Sequence, residues 1–125
     1  MDWDAIISPA RAVTHSHVDR VTSQGFVFSV KDTKMFISAE PSNKNLKIFK
    51  NMHNIPNHNP IMVMIMQMEG IGVTSLEEGQ GMIVLPGTIH AVLSLLNSAL
   101  VGYFSYPVHH TPKFLRLVRW QFQQL

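Results

Sequence analysis

Residues 76–106, LEEGQGMIVLPGTIHAVLSLLNSALVGYFSY, decide the fold of this chain. Short apolar runs alternate there with turn-forming residues: Glu77 to Gly81, then Pro86-Gly87, then Asn97-Ser98. Runs of this length, bounded by Gly, Pro and Asn, read as β-strands. The spacing predicts a hairpin of 73–76 with 82–85, a strand over 90–96 and another over 100–106. Upstream, 61–68 is apolar on both faces for most of its length, as a strand buried inside a sandwich is. Residues 12–20, 26–30 and 34–39 read as strands too, separated by the polar turns at Lys31-Asp32-Thr33 and Glu40-Pro41-Ser42-Asn43. Leu46, Phe49 and Lys50 mark a short helical turn with Ser42 or Asn43 as its cap. Residues 53–60, rich in Asn, His and Pro, form a loop. Many short strands at this spacing predict an all-β sandwich or barrel, with a jelly roll foremost.

The tail differs in period. Thr111-Pro112 has the form of an N-cap followed by proline at the first helical position. Phe114, Leu117, Val118 and Leu125 then recur near helical spacing, which predicts a C-terminal helix over about 112–125 packed on the sandwich or on a partner.

Composition narrows the classes. A chain of 125 residues is one domain with a thin core. With 46% apolar and 14% charged residues, disorder is not the default. A net charge of +2 is too small to argue for nucleic acid. The absence of cysteine excludes disulfides and thiolate metal sites and fits an intracellular protein. Met1-Asp2-Trp3-Asp4 does not start a signal peptide, and the apolar run 61–66 is too short to span a bilayer. A soluble single domain, without membrane or direct nucleic-acid binding, is expected.

The chemistry lies in a split constellation. His17 and Asp19 are spaced i,i+2, so on a strand they share a face. Pro86-Gly87-Thr88-Ile89 leads into His90 far downstream. Two histidines and a carboxylate form the ligand set of a non-haem Fe(II) site with open coordination positions. His-x-Asp alone is a short motif with a real false-positive risk, and a lone His at a strand start is more often hydrogen-bonded structure; the combination carries the argument. Lys34 adds weight. On its strand it shares a face with Phe36 and Ser38, where a buried ammonium is costly without a carboxylate or phosphate partner. Two readings stay equally open for it: counter-ion to a ligand carboxylate, or a side chain snorkelling at the strand edge.

These residues carry a resemblance. The stretches THSHVD (14–19), VKDTKMFISAEPSNKNLKIFK (30–50) and 76–106 resemble the Jumonji-C (JmjC) family of Fe(II)- and 2-oxoglutarate-dependent oxygenases. The flavour is closest to the plant-homeodomain-associated lysine demethylase branch and to fungal JmjC proteins. The match covers about residues 3–106, and Gly79-Gln80 through Ile89-His90-Ala91-Val92 is its most specific part. The resemblance implies a single JmjC-like domain over 1–125: a double-stranded β-helix (jelly roll, cupin-like) with a C-terminal helix. It implies His17, Asp19 and His90 as iron ligands, and Lys34 and Thr14 as partners of the distal carboxylate of 2-oxoglutarate. It further implies a histone or protein lysine demethylase or hydroxylase, a protein substrate such as a methyl-lysine tail, and a nuclear location. The C-terminal helix leaves a partner chain or dimer open.

The sequence departs from that pattern in several places. Asp32-Thr33 stands where the family often has glycine. Val27 stands where a hydrogen-bonding aromatic is common, and Phe104 falls in a stretch that is usually smaller. The family also usually has further strands and helices ahead of the His-x-Asp strand, often the ones that recognise substrate. These departures motivate the alternative of a degenerate, non-catalytic JmjC or cupin-like domain serving as a metal-binding or assembly module.

Bland readings hold for the remaining candidates. Met62, Met64, Met66 and Met68 are core packing, expected to face away from an oxidising centre. His53 and His58 are solvated loop residues, and His109-His110 end a strand. Trp3 and Trp120 are core or docking anchors, and Arg116 and Arg119 are a solvated face.

Overall fold

The computed structural model describes residues 2–19, 24–52, 54, 59–105 and 111–122. Among these run β1 (Asp2–Ser8), β2 (Val13–Val18), β3 (Gln24–Lys31), β4 (Lys34–Ala39), α1 (Asn43–Met52), α2 (Pro60–Gln67), β5 (Gly72–Leu76), β6 (Gly81–Val84), β7 (Ile89–Ser94), β8 (Ser98–Ser105) and α3 (Thr111–Phe122). The strands form two four-stranded sheets, ordered β1-β8-β3-β6 and β2-β7-β4-β5. Every recorded pairing is antiparallel. Strands consecutive in sequence mostly fall in opposite sheets, as the chain wraps a double-stranded β-helix. The jelly roll with helices is therefore the observed fold. The strand expected over 34–39 is β4, and Asp32 makes the preceding turn with a left-handed φ of 59°, a conformation that aspartate tolerates.

The alternation of β4 and β7 explains where the core sits. Ile37 and Ala39, with Ile89 and Ala91, face outward beneath the helices, joining Leu46, Met52, Met64, Met68 and Leu117 in the larger apolar cluster. The other faces of the same strands point between the sheets, where the apolar cluster is smaller: Phe36, Leu76 and Leu100, flanked by Val27, Met82 and Val92. Most of the hydrophobic stabilisation thus lies under the helical layer. The inter-sheet space is left free to hold polar groups.

Two expectations are corrected. Residues 61–68 are not a sandwich strand: 61–67 belong to α2 and Met68 is its C-cap. Asn59 caps that helix, its side chain accepting from the Ile61 and Met62 amides at 3.1 and 3.4 Å, with Pro60 opening the first turn. Met64 and Met68, four apart, are buried, while Met62 and Met66 are exposed by 47% and 76%. An alternating stripe cannot choose between helix and strand when both faces are apolar; the cap and proline decide. The second correction concerns the hairpin. β5 pairs with β4 and β6 pairs with β3, so the turn at 77–80 carries the chain from one sheet to the other. The short helical turn around Leu46 is the full helix α1, and Ser42 is its cap, accepting from the Asn45 amide at 3.1 Å.

The α2 assignment has a measurable consequence. Met64→Ala should cost about 2–5 kcal/mol in denaturant unfolding, as buried methionine truncations do. Met66→Ala should stay within about 0.5 kcal/mol. A sandwich strand with both faces buried would make the two losses similar.

Candidate metal centre

His17 lies on β2 and pairs directly with His90 on β7. One more alternation along, just past the end of β2, Asp19 reaches the same face. The β2–β7 register slips between Thr14 and His17, with two residues of β2, His15 and Ser16, opposite one of β7, Ala91. That bulge matters because residues three apart on a regular strand face opposite ways. With it, both Thr14 and His17 line one cavity. Ahead of β7 the Pro86-Gly87 turn, with Gly87 at φ 76°, delivers His90. A Cβ at Gly87 would meet the Leu117 side chain at 2.7 Å, so the turn and α3 lock together.

The two histidines are oriented alike. His17 Nδ1 lies 2.9 Å from the His15 carbonyl oxygen, and His90 Nδ1 lies 3.0 Å from that of Thr88. A carbonyl only accepts, so each Nδ1 carries the proton and each Nε2 presents its lone pair. Both Nε2 atoms point at one carboxylate. His17 Nε2 is 3.2 Å from Asp19 Oδ1, and His90 Nε2 is 3.4 Å from Oδ2. The ring centroids are 4.2 Å apart. Ligand atoms of all three residues lie within 4.8 Å of one another, and among the described residues they form the one such cluster. Lone pairs converging on a carboxylate repel unless a cation lies between them, so the donor set fits a divalent metal held by two imidazoles and one carboxylate.

The electrostatics agree. When Nε2 of His17 is protonated as well, it donates to Asp19, and that hydrogen bond raises the pKa of His17 against the effect of burial. Burial works to raise that of Asp19, but the His17 hydrogen bond and the two imidazoles outweigh it and hold the carboxylate below its usual range. His90, only 4% exposed, is lowered by burial. In the metal-free protein a proton competes with metal at His17 Nε2 up to a pH above the ordinary histidine value, whereas burial makes His90 easier to deprotonate. Metal affinity should therefore fall on acidification, starting above ~6.5 as His17 takes up its proton. Calorimetric Ni(II) titrations as a function of pH check this; an affinity that does not change on acidification contradicts the assignment.

Lys34 lies in the same inter-sheet space, 3% exposed. Its ammonium donates to Ser8 Oγ at 2.9 Å and Ser94 Oγ at 3.1 Å, and Ser98 Oγ donates in turn to Ser94 at 3.3 Å. No carboxylate pairs with it among the described residues, and burial lowers its pKa. The snorkelling alternative is thereby removed, since the head group is the part that is enclosed. Lys34 stands opposite Ser94 and Ser38 opposite His90, about 13 Å apart along the strand at ~3.3 Å per residue. A cavity of about 110 Å³ joins them, lined by Asp4, Thr14, His17, Asp19, His90, Lys34 and apolar walls that include Phe36, Val92 and Leu100. Val27 and Phe104 line it too, so two of the departures noted above stand at the site itself.

The sequence reading missed the serines around Lys34. Ser94 was readable, being four residues beyond His90 on one strand and so on its face. Ser8 was not, because only the fold brings β1 near. The buried methionines lie on the face of β7 opposite His90, in the cluster with Ile89 and Ala91. Trp120 packs against that cluster, its ring 6.3 Å from Phe49. His53, His58, His109 and His110 lie outside the described residues.

No family model matches the chain, and no curated protein matches it. Solved structures do. The Drosophila melanogaster CENP-C structure bound to CAL1 superposes with a TM-score of 0.58 at 8% identity, covering 82% of this chain and 60% of that one. A dTDP-4-dehydrorhamnose 3,5-epimerase from Sulfolobus tokodaii gives 0.56 at 12%, covering 90% and 55%. An RmlC-like cupin protein from Desulfovibrio desulfuricans gives 0.53 at 9%, covering 85% and 72%. At such identities the likeness shows the fold alone: the chain is a cupin-type jelly roll. It spans about 60% of the length of the CENP-C chain and 55% of that of the epimerase.

Proposed function

We propose that this jelly roll is an Fe(II)- and 2-oxoglutarate-dependent oxygenase of JmjC type that acts on a protein side chain. The observation that carries the reading is the pairing of the His17/Asp19/His90 cluster, in one cavity, with a buried lysine that no carboxylate among the described residues pairs. Bound Fe(II), with 2-oxoglutarate and O2, supplies the oxidising power to hydroxylate a C–H bond, releasing succinate and CO2. The chain's own residues hold and orient. His17, Asp19 and His90 would hold the metal through two imidazoles and one carboxylate. The Nδ1 bonds to the His15 and Thr88 carbonyls fix the rings and their tautomer. Lys34 supplies the charge for the far carboxylate of the co-substrate, and Thr14 a hydroxyl beside it. Phe36, Val92 and Leu100 keep water from the space between, which strengthens each electrostatic contact. On an N-methyl-lysine the hydroxylated methyl leaves as formaldehyde; on another side chain the hydroxyl stays. The nuclear location is part of the same proposal and rests on the resemblance alone.

A second reading has a specific observation behind it. Val27 and Phe104 narrow the cavity, which favours a module that keeps its metal for assembly and performs no turnover. Mass-spectrometric measurement of succinate from 2-oxoglutarate by Fe(II)-loaded protein separates the two. Metal-dependent succinate supports the oxygenase; stoichiometric metal without succinate supports the module.

A further inference from the structure

Charge is distributed unevenly over the molecule. α1 and α3 carry six of the ten Lys and Arg residues (Lys44, Lys47, Lys50, Lys113, Arg116 and Arg119) and none of the eight Asp and Glu. The helices thus bear +6 and the remainder −4, within a net +2. Between the two helices runs an open groove of about 660 Å³. Lys47 and Lys50 line it from α1, Arg116 and Arg119 from α3, with Leu46, Leu115 and Trp120 as apolar surface. No carboxylate lines it among the described residues. Arg116 is held in place, Nη1 donating to the Pro41 carbonyl at 2.7 Å.

The groove also leads somewhere. Arg116 lines a second cleft with Glu40, Leu85 and Thr88. Those last three also line a third cleft, to which His90 contributes. The groove and the two clefts thus adjoin through shared residues, the last of them bordered by His90.

We propose that the α1–α3 groove docks an acidic, amphipathic polypeptide segment, and that the connected clefts guide the adjoining residues toward His90. The first part stands on the groove; the second rests on the oxygenase reading and names its substrate class. Charge complementarity selects an acidic partner, and apolar surface between two helices suits the apolar face of a third. A long nucleic acid is disfavoured because the surface beyond the helices is net negative. A basic methyl-lysine tail is repelled by the four cations that line the groove.

Fluorescence anisotropy tests the docking. The probe is a labelled Leu/Glu amphipathic peptide of about four helical turns, compared with Leu/Gln and Leu/Lys versions and a single-stranded oligonucleotide of equal charge. The acidic peptide should bind best, weaken as salt rises, and lose tenfold or more in affinity in the double variant Lys50→Glu/Arg119→Glu. Both positions are exposed, and Lys50→Gln/Arg119→Gln should show a smaller loss if the reversed charges disturb folding. Equal binding of the Leu/Gln peptide, tighter binding of the oligonucleotide, or affinity that survives both variants overturns the proposal. Asp19→Ala should bind the peptide normally, which separates docking from the chemistry of the centre. For the guidance, Mn(II) in place of Zn(II) should broaden a ¹⁹F label at one end of the bound peptide and not the other; broadening of neither end overturns that part.

Discussion

Asp19→Ala should lose metal binding and turnover together while the fold remains. Asp19 is the only anion in the cluster, and its two oxygens face the two Nε2 atoms separately. Replacing it leaves two neutral imidazoles, so metal affinity should drop by more than ~100-fold, beyond the 10–100-fold typical of losing an outer partner. The side chain is 31% exposed and sits past the end of β2, so the chelated variant should unfold close to the chelated wild type. The readout is the difference made by metal. Saturating Ni(II) at about 100 times the dissociation constant stabilises wild type by about 2.7 kcal/mol, and should stabilise Asp19→Ala by no more than about 0.4 kcal/mol. A variant that still gains the full increment shows that the carboxylate is not a ligand.

Lys34→Met should separate stability from ligand binding in opposite directions. The ammonium is buried, donating to two hydroxyls, and pairs with no carboxylate among the described residues. Such a charge is a liability to the unliganded fold, and an apolar side chain of similar length is neutral or stabilising there. The pKa gives the sign independently. Burial lowers it from 10.5, so the unfolded chain binds the proton more tightly, and stability rises with pH between the lowered folded value and about 10.5. Lys34→Met should abolish that rise. It should also cost more than ~100-fold in 2-oxoglutarate affinity, since a desolvated dicarboxylate would lose its one buried counter-ion. Metal affinity should stay within a few-fold. Loss of stability with unchanged 2-oxoglutarate binding makes the lysine structural.

Local pattern carried a good part of this architecture. β4 was legible end to end because apolar and small residues alternate between two polar turns. The shared face of His17 and Asp19 followed from the two-residue period alone. What failed did so where that period is uninformative. Residues 61–68 are apolar at every phase, so the deciding signal was Asn59-Pro60 just ahead of them, which looked like loop. Glu77–Gln80 has the composition of a hairpin turn, but its neighbours pair with β4 and β3 in different sheets, a choice set by non-local registers. The bulge between Thr14 and His17 was likewise invisible, although it lets two cavity residues sit three apart. The larger core lies outside the sandwich because β7 alternates His90, Val92 and Ser94 inward with Ile89 and Ala91 outward. That alternation could have been read, and it explains why the space between the sheets is polar.

The most direct test is anaerobic titration of Fe(II)-loaded protein with 2-oxoglutarate, followed by the visible charge-transfer absorption expected when a keto acid chelates a facial-triad iron through its open positions. A saturable band in wild type, absent in Asp19→Ala and strongly right-shifted in Lys34→Met, is the predicted result. Stoichiometric iron with no band at any 2-oxoglutarate concentration would contradict the oxygenase reading and leave the metal-binding module.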